Sequence, residues 1–224
     1  DEIAQNLGEV NDYLPLPVGK IFKPDDDTAV PLILIRALED YGASVTAEQI
    51  GETLLNYIAD QRSTFWWGGY GISTEHTAYL NLAHGITAPR SGSIAQNGKI
   101  LAEQIGGQIF SDVWGLVCPN DPACAADYAA KASSVTHDGE AIYGGRFIAA
   151  LVSQAFSVSD PLALLQSGLT HIPDTSEYAR VVNAMIEFHH AQPDDWHTCY
   201  KHLAKNFGYD RYGGIVHIIP NAGV

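Results

Sequence analysis

The stretch Asp25-Asp26-Asp27-Thr28-Ala29-Val30-Pro31-Leu32-Ile33-Leu34-Ile35-Arg36-Ala37-Leu38-Glu39-Asp40-Tyr41-Gly42 sets three carboxylates before an apolar run that closes on a glycine. Val30, Ile33, Leu34 and Leu38 recur at three- and four-residue spacing, which predicts a helix from about Thr28 to Tyr41 stopped by Gly42. The same punctuation repeats downstream. Thr46-Ala47-Glu48-Gln49 reads as a capping box opening a helix to about Asp60. A helix from about Thr74 to His84 closes on Gly85, and Asp121-Pro122 and Asp160-Pro161 each pair a cap with Pro at the first helical position.

Further helices are expected over about 98–116, 122–132, 139–156, 161–169, 176–190 and 195–206, with no alternating strand pattern. Gly106 and Gly107 fall inside the 98–116 segment, where each costs about 1 kcal/mol against Ala, so a close approach is expected there. A lead-in punctuated by Pro15, Pro17 and Pro24 precedes all of this. The tail from Ile215 to Val224 turns apolar without a closing cap, which reads as an exposed segment that a further helix or another chain covers. One all-α domain over 1–224 is the expected architecture.

A chain of 224 residues with 46% hydrophobic content suffices for a real core. No stretch approaches the roughly 18 apolar residues of a membrane span, and no membrane role is expected. The first residues, Asp1 to Gln5, lack a basic signal start, and a cytoplasmic compartment is only slightly favoured over others. A formal charge of −14 without a compensating Lys/Arg run argues against nucleic acid as a partner. An anionic substrate then needs a metal, a helix N-terminus or backbone amides to meet it. Cys118 and Cys124 flank a Pro-containing turn and Cys199 stands alone. The pair reads as two ordinary thiols, with a bridge the alternative in an oxidising compartment.

Three adjacent carboxylates repel one another, and a helix N-terminus relieves this by only about 0.3–1 kcal/mol each. A hard divalent cation relieves it further, and oxygen-only ligands favour magnesium, calcium or manganese. A plain acidic cap cluster is the competing reading. The aromatic loop Phe65-Trp66-Trp67-Gly68-Gly69-Tyr70-Gly71 is costly to expose unless it lines something. Trp66, Trp67 and Tyr70 either stack on a base or sugar or anchor the loop in the core. Arg90 is a weak phosphate candidate, and His189 and His190 read as a solvated helix end.

Asp25-Asp26-Asp27-Thr28 at a helix start, Trp67 to Gly71, Asn81 to Gly85, Ser91-Gly92-Ser93-Ile94, Ala102 to Phe110 and Ala132 to Gly144 resemble, in order, one branch of the ADP-ribosylglycohydrolase family. Thr136-His137 matches a second signature of that family, and Ile172-Pro173, Tyr209 to Tyr212 and His217 to Asn221 also fit. The resemblance runs from about Lys20 onward. It implies an all-α orthogonal multi-helix fold and a magnesium-dependent glycosidase. The N- or O-glycosidic bond of an ADP-ribosyl or related substrate, small or protein-linked, would be hydrolysed at a binuclear Mg2+ site.

Carried over residue by residue, the resemblance makes Asp25, Asp26 and Asp27 metal ligands and gives Asp26 and Asp27 the catalytic role. Asp25 is the least typical, since Thr or Ser is commoner at its position. Substrate contacts would come from Trp67, Gly68, Tyr70, Gln104, Gly106, Gly107, His137, Asp138 and Tyr143, with His137 and Asp138 near the ribose. Two departures stand out. No Gly-Asp helix matches upstream of Asp25, and the family's second metal segment, an Asp-Thr-Asp, would follow the helix near Ile215, beyond Val224. The expectations are therefore half of a metal site, with a second chain as a potential source of the rest. The alternative is a non-catalytic helical binding module.

Overall fold

A computed structural model describes residues 5–6, 8, 19, 21, 24–192, 195–213 and 216–224. The Pro15–Pro17 lead-in and Ile215 lie outside the described residues. Helix α1 spans Asp26–Tyr41, two residues longer at its start than the sequence suggests. The cap is Asp25, whose carboxylate accepts from the Thr28 N–H at 3.3 Å and the Thr28 hydroxyl at 3.0 Å. Gly42, at φ 78°, ends the helix. Helix α2, Ala47–Tyr57, carries the expected capping box between Thr46 and Gln49. Helix α3, Thr74–Ala83, starts on the Ser73 hydroxyl.

After a short turn, α4 Ile94–Asn97, the segment expected as one helix over 98–116 is instead three short pieces: α5 Lys99–Ala102, α6 Gly106–Ile109 and α7 Asp112–Val117. Gly98, at φ 84°, separates α4 from α5. Between α5 and α6 the backbone leaves the helix to pair with the tail, the Ile105 N–H donating to the Val216 carbonyl at 3.0 Å and the Ile218 N–H to the Glu103 carbonyl at 2.9 Å. Gly106 and Gly107 consequently open α6 and do not interrupt a long helix. Helix α8, Pro122–Thr136, runs four residues past its expected end. It is followed by α9 Glu140–Gln154, α10 Pro161–Leu169, α11 Glu177–Ala191 and α12 Trp196–Phe207.

The tail is not an exposed segment. It ends in α13, Ile218–Asn221, with Ile218 and Ile219 fully buried. Among the described residues there are no strands, only an isolated antiparallel bridge between Gln104 and His217. No described helix is long and apolar enough to cross a membrane.

Two apolar clusters make the core. One gathers α1, α2, α7 and α8 around the fully buried Trp114, and the other gathers α11, α12 and α13 around Tyr178. Helix α9 serves both, giving Ala149 to the first and Phe147 to the second. It can do so because its small residues admit close neighbours. The Gly107 carbonyl accepts from the hydroxyls of Ser111 at 2.8 Å and Ser133 at 3.1 Å, and it lies where a Cβ on Gly145 would be only 2.5 Å away.

Gly145→Ala adds that Cβ against backbone on one side and two serine hydroxyls on the other. Overpacking of about 1–3 kcal/mol is expected to outweigh the roughly 1 kcal/mol of helix propensity gained. The urea midpoint should therefore fall; a rise would show that α6 and α9 separate without cost.

Candidate functional site

The N-termini of α1 and α3, the first residue of α6 and the C-terminal cap of α8 meet around one buried carboxyl group, Glu75. It occupies the first turn of α3 and is 2% exposed. Its Oε1 faces His137 Nε2 at 3.4 Å, and Ser73 Oγ lies 3.4 Å from Oε2. His137 caps α8, is itself 1% exposed, and has Nδ1 2.7 Å from the Thr136 hydroxyl. When that hydroxyl donates, the ring proton sits on Nε2 and points at Glu75. The Nε2 contact is long for a hydrogen bond, and this atom has no other partner among the described residues.

Glycines let this pair exist. A Cβ on Gly106 would overlap Glu75 Oε1 and come within 2.8 Å of the His137 ring. One on Gly92 would overlap the Thr136 backbone and lie 2.5 Å from the His137 nitrogen. The Ser91-Gly92-Ser93 motif is thereby a clamp on Thr136-His137, with the Ser91 hydroxyl donating to the Val135 carbonyl at 2.7 Å.

Asp26 and Asp27 face the same charge. Burial holds the Asp26 carboxyl above its ordinary value, and repulsion from Glu75 and Asp25 adds to this. Asp27 is raised by burial and then by Asp26, Asp25, Glu75 and Asp112. Among the described residues no Lys, Arg or His pairs with any of the three aspartates. Asp25 also caps α1, its Oδ1 accepting from Thr28 and its Oδ2 making no hydrogen bond among the described residues.

The donor chemistry of Asp26 and Asp27 suits a hard divalent cation: two oxygen donors, crowded by like charge and without a cationic partner. Pro31 adds to this, since it has no N–H to offer the Asp27 carbonyl four residues earlier. The fit is partial, because among the described residues no three His, Cys, Asp or Glu side chains converge into a metal-binding group.

The other expected contacts are dispersed. Gln104 is buried, donates from Nε2 to the Ile72 carbonyl at 3.2 Å, and leaves Oε1 without a partner among the described residues. Gly107 lies beneath Ala141. Asp138 closes its own loop, accepting from the N–H groups of Ile94 at 2.9 Å and Gly139 at 2.7 Å. Trp67 packs into the core, its Nε1 donating to the Ser63 carbonyl at 2.9 Å and its ring edge-on to His76. Gly68 presses on Ile72 and Ser73, while Tyr70 is exposed. Tyr143 lines a separate open cavity of about 430 Å3 with Arg146 and His171. Arg90 is exposed, and His189 and His190 end α11.

Sequence reasoning missed Glu75 and a second buried pair, Glu103 with His217. His217 Nδ1 accepts the Ile219 N–H at 3.2 Å, so its proton lies on Nε2, which faces Glu103 Oε2 at 3.3 Å. Glu103 Oε1 accepts the Glu140 N–H at 3.2 Å. An acid in the first turn of a helix ordinarily reads as a solvated favourable charge, which is how Glu75 escaped notice.

A buried His–Glu pair closely approached by two glycines thus lies within electrostatic reach of Asp26 and Asp27. The chain belongs to the ADP-ribosylglycohydrolase family, whose model matches residues 1–223. That membership supports a glycosidase of this type. No curated protein and no solved structure matches it.

Two measurements separate the aspartates. Asp25→Ala removes a cap and should cost about 1 kcal/mol in a urea titration. Asp26 has a raised pKa when folded, so between 3.8 and that raised value the folded state binds more protons than the unfolded state. Stability from this source is complete below 3.8 and is lost as pH rises through the folded pKa. Asp26→Asn should therefore stabilise the metal-free protein near neutrality, with the advantage vanishing below pH 3.8; a constant difference across that range would contradict the assignment.

Proposed function

We propose that the chain hydrolyses the N- or O-glycosidic bond of an ADP-ribosyl or related ribosyl substrate, with magnesium held by Asp26 and Asp27. The observation that supports this most directly is the crowding of those two carboxylates against buried Glu75, without a cationic partner among the described residues, in a chain of this family. When bound, magnesium supplies positive charge that polarises an attacking water and orients the ribose diol.

The chain's own residues do the rest. Asp26 and Asp27 present hard oxygens from the first turn of a helix anchored by the Asp25 cap, so their backbone positions are set before a ligand arrives. Glu75 lies behind them and keeps the local potential negative, favouring cation entry in a protein of net charge −14. His137 is held by Thr136 on one nitrogen and faces Glu75 with the other, so its ring orientation is determined. In this reading Gly106 brings backbone close to Glu75 and His137, whereas Gly107, Asp138 and Tyr143, which the resemblance assigned to the substrate, are engaged elsewhere. Trp67, Gly68 and Tyr70 form the aromatic loop on α3's side.

A second reading rests on the absence of a three-ligand group among the described residues. In it the chain is a non-catalytic binding module, or another chain supplies the remaining ligands. Isothermal titration with magnesium and turnover of an ADP-ribosylated substrate separate these readings. Asp26→Ala and Asp27→Ala should each abolish the binding heat and reduce magnesium-dependent hydrolysis by more than about 100-fold, the upper end of what loss of a mere ligand-orienting partner costs. Full magnesium-dependent turnover in both variants would overturn the proposal. Magnesium binding without turnover would favour the module.

A further inference from the structure

The turn Cys118-Pro119-Asn120-Asp121-Pro122-Ala123-Cys124 joins α7 to α8, and its frame is set from several directions. Ser153 on α9 donates its hydroxyl to the Cys118 carbonyl at 2.5 Å and accepts the Asp121 N–H at 3.0 Å. Its carbonyl accepts the Asn120 N–H at 3.0 Å. Asn120 takes up the reversal at φ 58°, and the Asp121 carboxylate caps α8 by accepting the Cys124 N–H at 3.1 Å. With the backbone so held, the two sulfurs face each other at 2.9 Å. Closing to the roughly 2.05 Å of a bond takes about 0.9 Å of movement, within reach of small side-chain rotations.

We propose that Cys118 and Cys124 are a disulfide-forming pair, oxidised by exchange with a low-molecular-weight disulfide, and that the closed bridge clamps the α7–α8 turn. Cys124 is the more exposed thiol, whereas Cys118 is 8% exposed. The Cys124 thiolate attacks one sulfur of the external disulfide. That S–S bond breaks, one thiolate leaves, and a mixed disulfide remains on Cys124. The Cys118 sulfur then attacks the Cys124 sulfur and expels the second thiolate. Two cysteine thiols lose two electrons and two protons, and the external disulfide gains them as two thiols.

The order follows from the environments. Burial, with the hydrogen bond to Cys124, pushes the Cys118 thiol up to about 12, so it is the poorer first nucleophile. Capping Cys124 removes the part of that elevation due to its own thiol. Cys199 lies on α12 beside the Gln192 carbonyl and belongs to no such pair.

The test uses the purified chain incubated with oxidised glutathione, then unfolded in an alkylating reagent without reductant. Alkylation at Cys199 alone is expected, with the peptide spanning Cys118 and Cys124 lighter by two hydrogens, and alkylation at all three cysteines after reduction. Cys118→Ser should trap glutathione on Cys124. Three alkylated cysteines in the oxidised sample, or glutathione retained on Cys124 of the unsubstituted chain, would sink the proposal. The oxidised chain should also melt about 5 °C above the reduced one; coincident melts would overturn the clamp.

Discussion

Burying the Glu75 carboxyl is the constraint on which the arrangement around it depends. A carboxylate removed from water costs several kcal/mol unless other groups compensate it. Compensation here comes from His137 and Ser73, and neither reaches ideal hydrogen-bond distance. Bringing His137 that near requires α6 and the 91–93 loop to press on it without side chains, which only Gly106 and Gly92 allow. The same carboxyl then acts outward, disfavouring charge on Asp26 and Asp27. One buried acid thus links a packing requirement to an electrostatic one.

How much of this the sequence discloses depends on how far apart the cooperating residues lie. Helix α1, the Thr46–Gln49 box and the starts of α8 and α10 follow from signals a few residues long, and they are where the local pattern puts them. The 98–116 region reads as one helix because its apolar residues keep helical spacing through successive short turns. What breaks the helix there is the remote segment 216–218, which captures the backbone at Glu103 and Ile105. The same contact explains why the apolar tail is buried.

The candidate site divides along similar lines. The aspartates and the Thr136-His137 pair were legible through short motifs resembling a known family. Glu75 was not, because its significance lies in its burial. Trp67 shows the converse: an aromatic loop suggests a stacking surface, yet its indole is occupied by Ser63 and His76. Composition spoke only to the general problem, since a strongly acidic chain must meet an anionic substrate with something other than Lys and Arg.

The Gln104–His217 bridge has a consequence for the order of assembly. Residues 103–105 cannot adopt their observed backbone until residues 216–218 have been synthesised, and contacts so distant along the chain form late because a long loop must close first. A nascent chain synthesised only as far as α12 would leave Glu103 without His217. Gly106 would not yet have been drawn against Glu75, so the acidic cluster would mature only after residues 216–218 had docked.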